Sequence, residues 1–97
     1  MNKVIFSGHT TKETELKTMA NGTALAKTAI AVNRRYKDSA GNKQEETMFM
    51  DLAFYGKSAE TANKYIVKGK KILIEGRLAL EKWEKDGKKH ERYCVYV

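Results

Sequence analysis

The 97-residue sequence contains no proline, a single cysteine and no apolar run of the length that a membrane span requires. A transmembrane helix needs about 20 consecutive apolar residues, so we expect no membrane association. One cysteine forms neither a disulfide framework nor a thiolate metal cluster, and Cys94, in an apolar stretch, is predicted to be a small buried thiol. A strand-like segment follows Met1 almost directly, which leaves no room for a signal or transit peptide. We therefore expect a cytoplasmic location.

Motifs for catalysis and for cofactor binding are also missing. His9 and His90 are far apart and have no metal-ligand spacing, and there is no glycine-rich phosphate-binding loop. Asp51 and Glu75 are both predicted on outer sheet faces, so a catalytic pair of carboxylates remains an alternative. Balancing of surface charge is the favoured interpretation. We expect no enzyme, no catalytic residues, no metal and no cofactor.

Positive charge is in excess. The chain has 19 Lys and Arg residues against 12 Asp and Glu, for a net charge of +7. Such an excess favours a polyanionic partner, either nucleic acid or an anionic surface. Because no basic amphipathic helix is apparent, nucleic acid is the better prediction.

The pattern of apolar residues and turn signals predicts one mainly β domain over residues 1–97. Five strands are expected at 3–8, 23–35, 47–55, 72–80 and 90–97, with a possible short strand near 15–17. The alanines of 23–35 make a helix the competing interpretation of this segment. A helix is predicted over 58–68, with Ser58 as its N-cap, and a solvated loop over 34–46. One helix between the third and fourth of five strands is the element order of an OB fold, a five-stranded Greek-key barrel.

Alternation within the strands assigns side chains to faces, because successive residues of a strand point to opposite sides. In 47–55 it directs Phe49, Asp51, Ala53 and Tyr55 outward. The predicted inward residues of this strand and of 72–80 are Met48, Met50, Leu52, Phe54, Ile72, Ile74, Leu78 and Leu80. Trp83 is placed on the same outer face as Glu75, Arg77 and Glu81.

Four aromatic residues recur near basic ones: Tyr36 beside Arg34 and Arg35, Phe49, Tyr55 beside Lys57, and Trp83 beside Lys82. Exposed rings stack on bases while Lys and Arg neutralise phosphates, which is the combination that single-stranded nucleic acid requires. Partly buried packing is the alternative for each ring taken alone. The four together favour a stacking surface.

Several segments resemble the bacterial single-stranded DNA-binding protein family: NKVIFSG, NGTALAKTAIAVNRRYKD, GNKQEET, FYGKSAE, KYIVKGKKILIEGRL and KWEKDGKK. The resemblance implies an OB fold that forms a homotetramer, or a dimer, and binds single-stranded DNA without sequence preference. It assigns base stacking to Tyr36, Phe49, Tyr55 and Trp83. Basic residues are expected along the nucleic-acid backbone at Lys3, Arg34, Arg35, Lys57, Lys68, Arg77 and Lys82.

The sequence departs from that family at two points. Met50 and Asp51 stand where the family often has His and Arg, so we expect less positive charge on the binding surface and altered subunit contacts. The acidic tail that recruits replication and repair proteins is absent from these 97 residues, so such partners are expected only for a longer chain. The source is expected to be bacterial or phage, and the location the nucleoid.

Three other functions stay open. The nearest is an OB-fold protein that binds RNA or assists a primosome. An interaction scaffold, whose sheet edge and helix bind proteins, belongs to a different class, and a small hydrolase built on the outer carboxylates is the third.

Overall fold

Six strands and one helix make up the computed structural model, which describes residues 1–97. In chain order they are β1 (Val4–Thr10), β2 (Glu15–Thr18), β3 (Ala24–Lys37), β4 (Lys43–Tyr55), α1 (Lys57–Tyr65), β5 (Lys71–Lys85) and β6 (Lys88–Tyr96). The mainly β fold is confirmed, and 23–35 forms a strand rather than a helix. The helix α1 is neither long nor apolar enough to cross a membrane.

The strands follow the order β1-β5-β6-β4-β3-β2, and an additional pairing of β1 with β3 closes the sheet. That closing contact joins His9 to Ala31 and Thr10 to Ile30. All pairings are antiparallel except that of β4 with β6, which is parallel and joins Asp51 to Cys94. The result is a closed five-stranded barrel with β2 added at the edge of β3, and α1 lies between the third and fourth barrel strands. The predicted OB fold is confirmed.

Inward residues of β3, β4, β5 and β6 form the core of the barrel. Its members are Ala26, Ile30, Leu52, Phe54, Ile74 and Val95, with Ala59 and Ala62 contributed by α1. The strands approach so closely at two points that only glycine fits. A Cβ at Gly8 would lie 2.3 Å from the carbonyl oxygen of Ala31, and one at Gly76 would lie 2.3 Å from that of Tyr96. These two glycines allow the backbone to approach closely as the barrel closes.

A buried threonine ties β1 to the segment between α1 and β5. The hydroxyl of Thr10 donates to the carbonyl of Val67 and accepts the backbone N–H of Lys70, at 2.9 Å in the second case. Every buried side-chain nitrogen or oxygen has a hydrogen-bond partner. The fold therefore avoids the free-energy cost of burying a polar side-chain group without a hydrogen-bond partner.

The loop predicted over 34–46 is wrong in extent, because only residues 38–42 leave the β3–β4 ladder. Pairing continues through Arg34 with Glu46 and Arg35 with Glu45 to Lys37 with Lys43. Charged residues fit this strand pair because both of its faces meet water here, and the first two of these pairs place opposite charges across from each other. The turn is held by Asp38, whose carboxylate accepts the backbone N–H of Ala40 and of Asn42 at 3.0 and 2.9 Å. The Asn42 hydrogen bond in particular lowers the pKa of Asp38.

The helix is shorter than predicted and begins without the predicted cap. It spans Lys57–Tyr65, and Gly56 with a φ of 61° occupies the N-cap position, so the assignment of Ser58 as N-cap is wrong. A positive φ there turns the chain directly from β4 into the helix, which glycine does at little cost. The helix ends before Ile66, whose backbone is extended. Lys68 therefore lies beyond the helix and not within it.

Burial differs from the prediction at three residues. Leu80 and Met48, predicted inward, are 41% and 38% exposed. Both lie where the β5–β6 and β3–β4 hairpins extend past the barrel, so no core covers them. Ala53, predicted outward, is fully buried, because its small side chain lies in a row between the longer Lys27 and Tyr96.

Candidate nucleic-acid interface

One side of the sheet formed by β4, β6 and β5 gathers most of the predicted stacking rings. Strand partners project to the same side, and Asp51 is level with Cys94, which is level with Ala79. Counting in steps of two from this row defines the side. We call it the outer face, and its exposed and half-buried members include Phe49, Asp51, Tyr55, Arg77, Glu81, Trp83, His90, Arg92 and Tyr96.

Three of the four predicted stacking rings lie on the outer face. Phe49 is 69% exposed, Trp83 42% and Tyr55 37%. An aromatic ring with this much area in water is available for a base to stack on. The structure therefore brings Phe49, Tyr55 and Trp83 to one surface, as alternation predicted.

Trp83 has two neighbours from the facing strand. His90 is its direct cross-strand partner, and the two rings stack with centroids 5.5 Å apart and planes 19° apart. The guanidinium of Arg92 lies 5.3 Å from the centroid of the indole. These contacts restrict the orientations of the indole, so a partly ordered ring is presented to a ligand.

Arg92 also joins two carboxylates. Its Nε lies 3.5 Å from Oδ2 of Asp51 and 3.7 Å from Oε2 of Glu81. Asp51 was predicted to lower the positive charge of the binding surface. Arg92, a basic side chain on the neighbouring strand, balances its negative charge. Arg92 was not among the sequence candidates.

Tyr96 connects the two ends of the outer face. Its ring lies 5.4 Å from that of Tyr55, the guanidinium of Arg77 lies 4.6 Å from its centroid, and its phenol donates a hydrogen bond of 2.7 Å to Glu81. The hydrogen bond lowers the pKa of Glu81 and raises that of Tyr96. Tyr96 therefore stabilises the position of Tyr55 and was also missed from the sequence.

Cys94 lies between Arg92 and Tyr96 on the same side of β6, yet it is only 2% exposed. Burial raises the pKa of its thiol to about 11. The prediction of a buried cysteine is confirmed. The longer side chains on either side cover it, so it is no reactive part of the surface.

Tyr36 lies apart from the other three rings. It pairs with Gln44, whereas Phe49 pairs with Ala31, so the pleat of the sheet places these two rings on opposite sides of the β3–β4 hairpin. Arg34 lies 4.8 Å from the Tyr36 ring centroid and forms an ion pair of 3.6 Å with Glu46. Tyr36 therefore lies outside the outer face, near the exposed end of the hairpin.

The remaining basic candidates are dispersed. Arg35 pairs with Glu45 near the hairpin end, and Lys3 forms an ion pair of 2.7 Å with Glu75. Lys82 precedes Trp83 on β5 and projects from the other side of that strand. Lys57 and Lys68 lie at the two ends of the α1 region, both exposed. Arg77 belongs to the outer face, and Arg35 lies on the same side of the β3–β4 hairpin as Phe49, since it is four residues along β3 from Ala31, the partner of that ring.

The two carboxylates considered as a catalytic pair, Asp51 and Glu75, are each engaged in an ion pair with a different basic residue. Asp51 is paired with Arg92 and Glu75 with Lys3, which supports the surface-charge interpretation. No group of three or more His, Cys, Asp or Glu side chains is arranged to hold a metal ion.

The fold and the outer face together define an OB-fold barrel with exposed aromatic rings interleaved with basic side chains. Residues 1–97 match the Single-strand binding protein family model throughout. The chain belongs to the Single-strand binding protein family.

Named relatives agree with that assignment, and solved structures share the fold. Single-stranded DNA-binding proteins of Wolinella succinogenes and Helicobacter hepaticus are each 47% identical to this chain over 95 residues, which is 97% of the chain but 59% and 56% of those proteins. The chain thus spans little more than half the length of these curated relatives. The single-stranded DNA-binding protein of Thermus aquaticus superposes with a TM-score of 0.86 at 28% identity, over 99% of this chain and 47% of that one. A Plasmodium falciparum SSB, solved in complex with ssDNA, shares the fold with a TM-score of 0.91 at 20% identity, over 100% of this chain and 86% of that one.

Proposed function

We propose that this chain binds and protects single-stranded DNA without sequence preference during replication, recombination and repair. The observation that carries the proposal is the exposure of Phe49, Tyr55 and Trp83 on one face of the barrel, in a chain with a net charge of +7. Names of relatives at 47% identity agree with it.

The mechanism we propose is binding alone, with no chemical step. Each exposed ring stacks on a base, and stacking tolerates any base because every base has a π-face. Lys and Arg side chains neutralise phosphates and release condensed counterions, which makes the affinity fall as salt rises. Since the protein binds only the unpaired strand, it shifts the equilibrium away from DNA hairpins. The proposed contacts are Lys3, Arg34, Arg35, Tyr36, Phe49, Tyr55, Lys57, Lys68, Arg77, Lys82 and Trp83.

We also propose that the chain acts as a homo-oligomer, a tetramer or a dimer. Between Val4 and Gly8, β1 pairs only with β5, so its other edge offers free backbone groups to a second strand. Ile5 and Leu73, on the adjoining surface, are 60% and 73% exposed. Burying them against another copy would remove apolar area from water. Sedimentation of the purified chain tests this, and a monomer at micromolar concentration would contradict it.

The proposed location is the cytoplasm, at the nucleoid, for a protein of bacterial or phage origin. Replication and repair proteins are proposed as partners only of a longer chain that carries an acidic tail. The location and these partners are proposed for the whole protein, because the relatives are considerably longer than this chain.

A fluorescence titration tests the proposed binding. Trp83 is the only tryptophan, so its emission reports directly on the outer face. We expect strong quenching when oligo-dT is added, and a binding constant that falls steeply with salt. Absence of quenching together with absence of salt-sensitive binding would contradict the proposal. Tighter binding of oligo-rU than of oligo-dU would favour the RNA-binding alternative.

A further inference from the structure

Arg92 lies at the centre of the outer face and is shared by three groups. Its guanidinium is close to the Trp83 ring, to Asp51 and to Glu81. The side chain is 47% exposed, so it can be approached from solvent. A strand stacked on Trp83 carries a phosphodiester beside each base, and Arg92 is the cation beside that ring.

The two carboxylates that hold Arg92 differ in how firmly they are themselves held. The side chain of Glu81 is 20% exposed and accepts the hydrogen bond from Tyr96 at 2.7 Å. The side chain of Asp51 is 36% exposed, and its one contact with a charged or hydrogen-bonding side chain is the ion pair with Arg92. Asp51 is therefore the partner that an incoming anion displaces more readily.

We propose that Asp51 competes with the phosphates of single-stranded DNA for Arg92 and so limits the affinity of the outer face, while Glu81 and Tyr96 keep the guanidinium in position. This inference rests on the proposed function. An exposed ion pair is weak, whereas a guanidinium binds a phosphate through charge-assisted hydrogen bonds. The exchange is thus favourable overall, but the displaced carboxylate stays within a few ångströms of the phosphate and repels it.

The test is the replacement Asp51→Asn, which keeps the size of the side chain and removes its charge. Glu60→Gln is the matched control, because Glu60 is an exposed carboxylate in the first turn of α1 and its loss changes the net charge by the same amount. Binding of fluorescent oligo-dT is measured for both variants between low and moderate salt. We expect Asp51→Asn to bind about two- to fivefold more tightly than the control, the range that an exposed ion pair allows. Its log–log salt slope is expected to steepen by less than about 0.7, the value for one whole additional phosphate of a single strand, because Arg92 already meets a phosphate in the parent chain.

A double-mutant cycle identifies Arg92 as the group through which Asp51 acts. In an Arg92→Gln background, Asp51→Asn is expected to change the affinity no more than Glu60→Gln does, since the contested cation is gone. Equal tightening with and without Arg92 would overturn the inference, as would binding of Asp51→Asn no tighter than the control. Thermal unfolding verifies folding, and Asp51→Ser replaces Asp51→Asn if the amide destabilises the strand. A parent chain that does not bind oligo-dT at all would instead overturn the proposed function.

Discussion

Tyr96 donates a hydrogen bond of 2.7 Å from its phenol to the carboxylate of Glu81. The two residues lie on β6 and β5, and the bond runs diagonally across that ladder, because Tyr96 is paired with Arg77 and Glu81 with Arg92. Through this bond the carboxylate that helps to hold Arg92 is linked to the ring that supports Tyr55. The aromatic and the ionic parts of the outer face therefore form one connected network.

We expect Tyr96→Phe to destabilise the fold by about 1 kcal/mol at pH 7, since a half-buried carboxylate loses its neutral donor. The hydrogen bond is the main cause that lowers the pKa of Glu81 from its usual 4.5. A carboxylate with a depressed pKa stabilises the fold above its unfolded-state pKa, and this contribution is lost as the pH falls through the folded-state value. The difference between parent and variant should therefore shrink below about pH 4.5. Urea unfolding at pH 7 and pH 3 measures it, with the exposed Tyr93→Phe as control, and a difference independent of pH would contradict the linkage.

Replacing Phe49 by alanine should weaken binding of single-stranded DNA by about 1–3 kcal/mol, the range typical of base stacking in OB-fold single-strand binding proteins. Stability should change by less than about 0.5 kcal/mol, because the ring is mostly in water. Oligo-dT titration and thermal unfolding of the same sample separate the two effects. Tyr65→Ala is the control, since this ring on α1 is 57% exposed but outside the outer face. A Phe49→Ala chain that unfolds would instead show that the ring is a packing residue.

Gly76→Ala should destabilise the barrel by about 1–3 kcal/mol, the usual cost of overpacking. The new methyl group would meet the carbonyl oxygen of Tyr96 at 2.3 Å and its carbon at 2.9 Å. Backbone atoms cannot rotate aside, so β6 has to shift, and Tyr96 shifts with it. Chemical denaturation measures the loss, and Ser7→Ala on the neighbouring β1, an exposed position, is the control. Unchanged stability of Gly76→Ala would show that β5 and β6 are further apart than described.

The thiol of Cys94 should be almost inert in the folded chain. A pKa of about 11 leaves about one thiol in a thousand ionised at pH 8, and the thiolate is the reactive form. Labelling with a chromogenic disulfide reagent should therefore be slow in buffer and fast in urea. A Cys94→Ser chain provides the blank. Rapid labelling under native conditions would contradict the burial of this side chain.

Local patterns in the sequence were sufficient to predict the outward position of Phe49, Tyr55 and Trp83. Odd and even positions along one strand depend on the backbone of that strand alone, so alternation remains valid without knowledge of the partners. The element order was sufficient for the OB fold in the same way. Alternation did not predict the exposure of Leu80 and Met48, because it assigns side chains to the two faces of a strand but does not say where the core ends.

The network around Arg92 could not be predicted from the sequence. Asp51 and Arg92 meet because β4 and β6 pair in parallel in a register that joins Asp51 to Cys94. Register between strands so distant in the chain is set by how the whole barrel closes. The sequence therefore showed Asp51 as an isolated negative charge, whereas the fold supplies its partner.

The parallel contact between β4 and β6 also has a kinetic consequence. It comprises three residue pairs, Asp51 with Cys94, Leu52 with Val95 and Ala53 with Tyr96, and it joins segments that are separated by α1 and all of β5. Closing so long a loop costs chain entropy before the new contacts repay it, which makes folding of such topologies slow, on the order of milliseconds to seconds. Until β6 docks, β4 has an unprotected edge. Folding and the formation of the outer face are thus ordered in time, since the rings of β4 and β5 come to lie on one surface only after the barrel has closed.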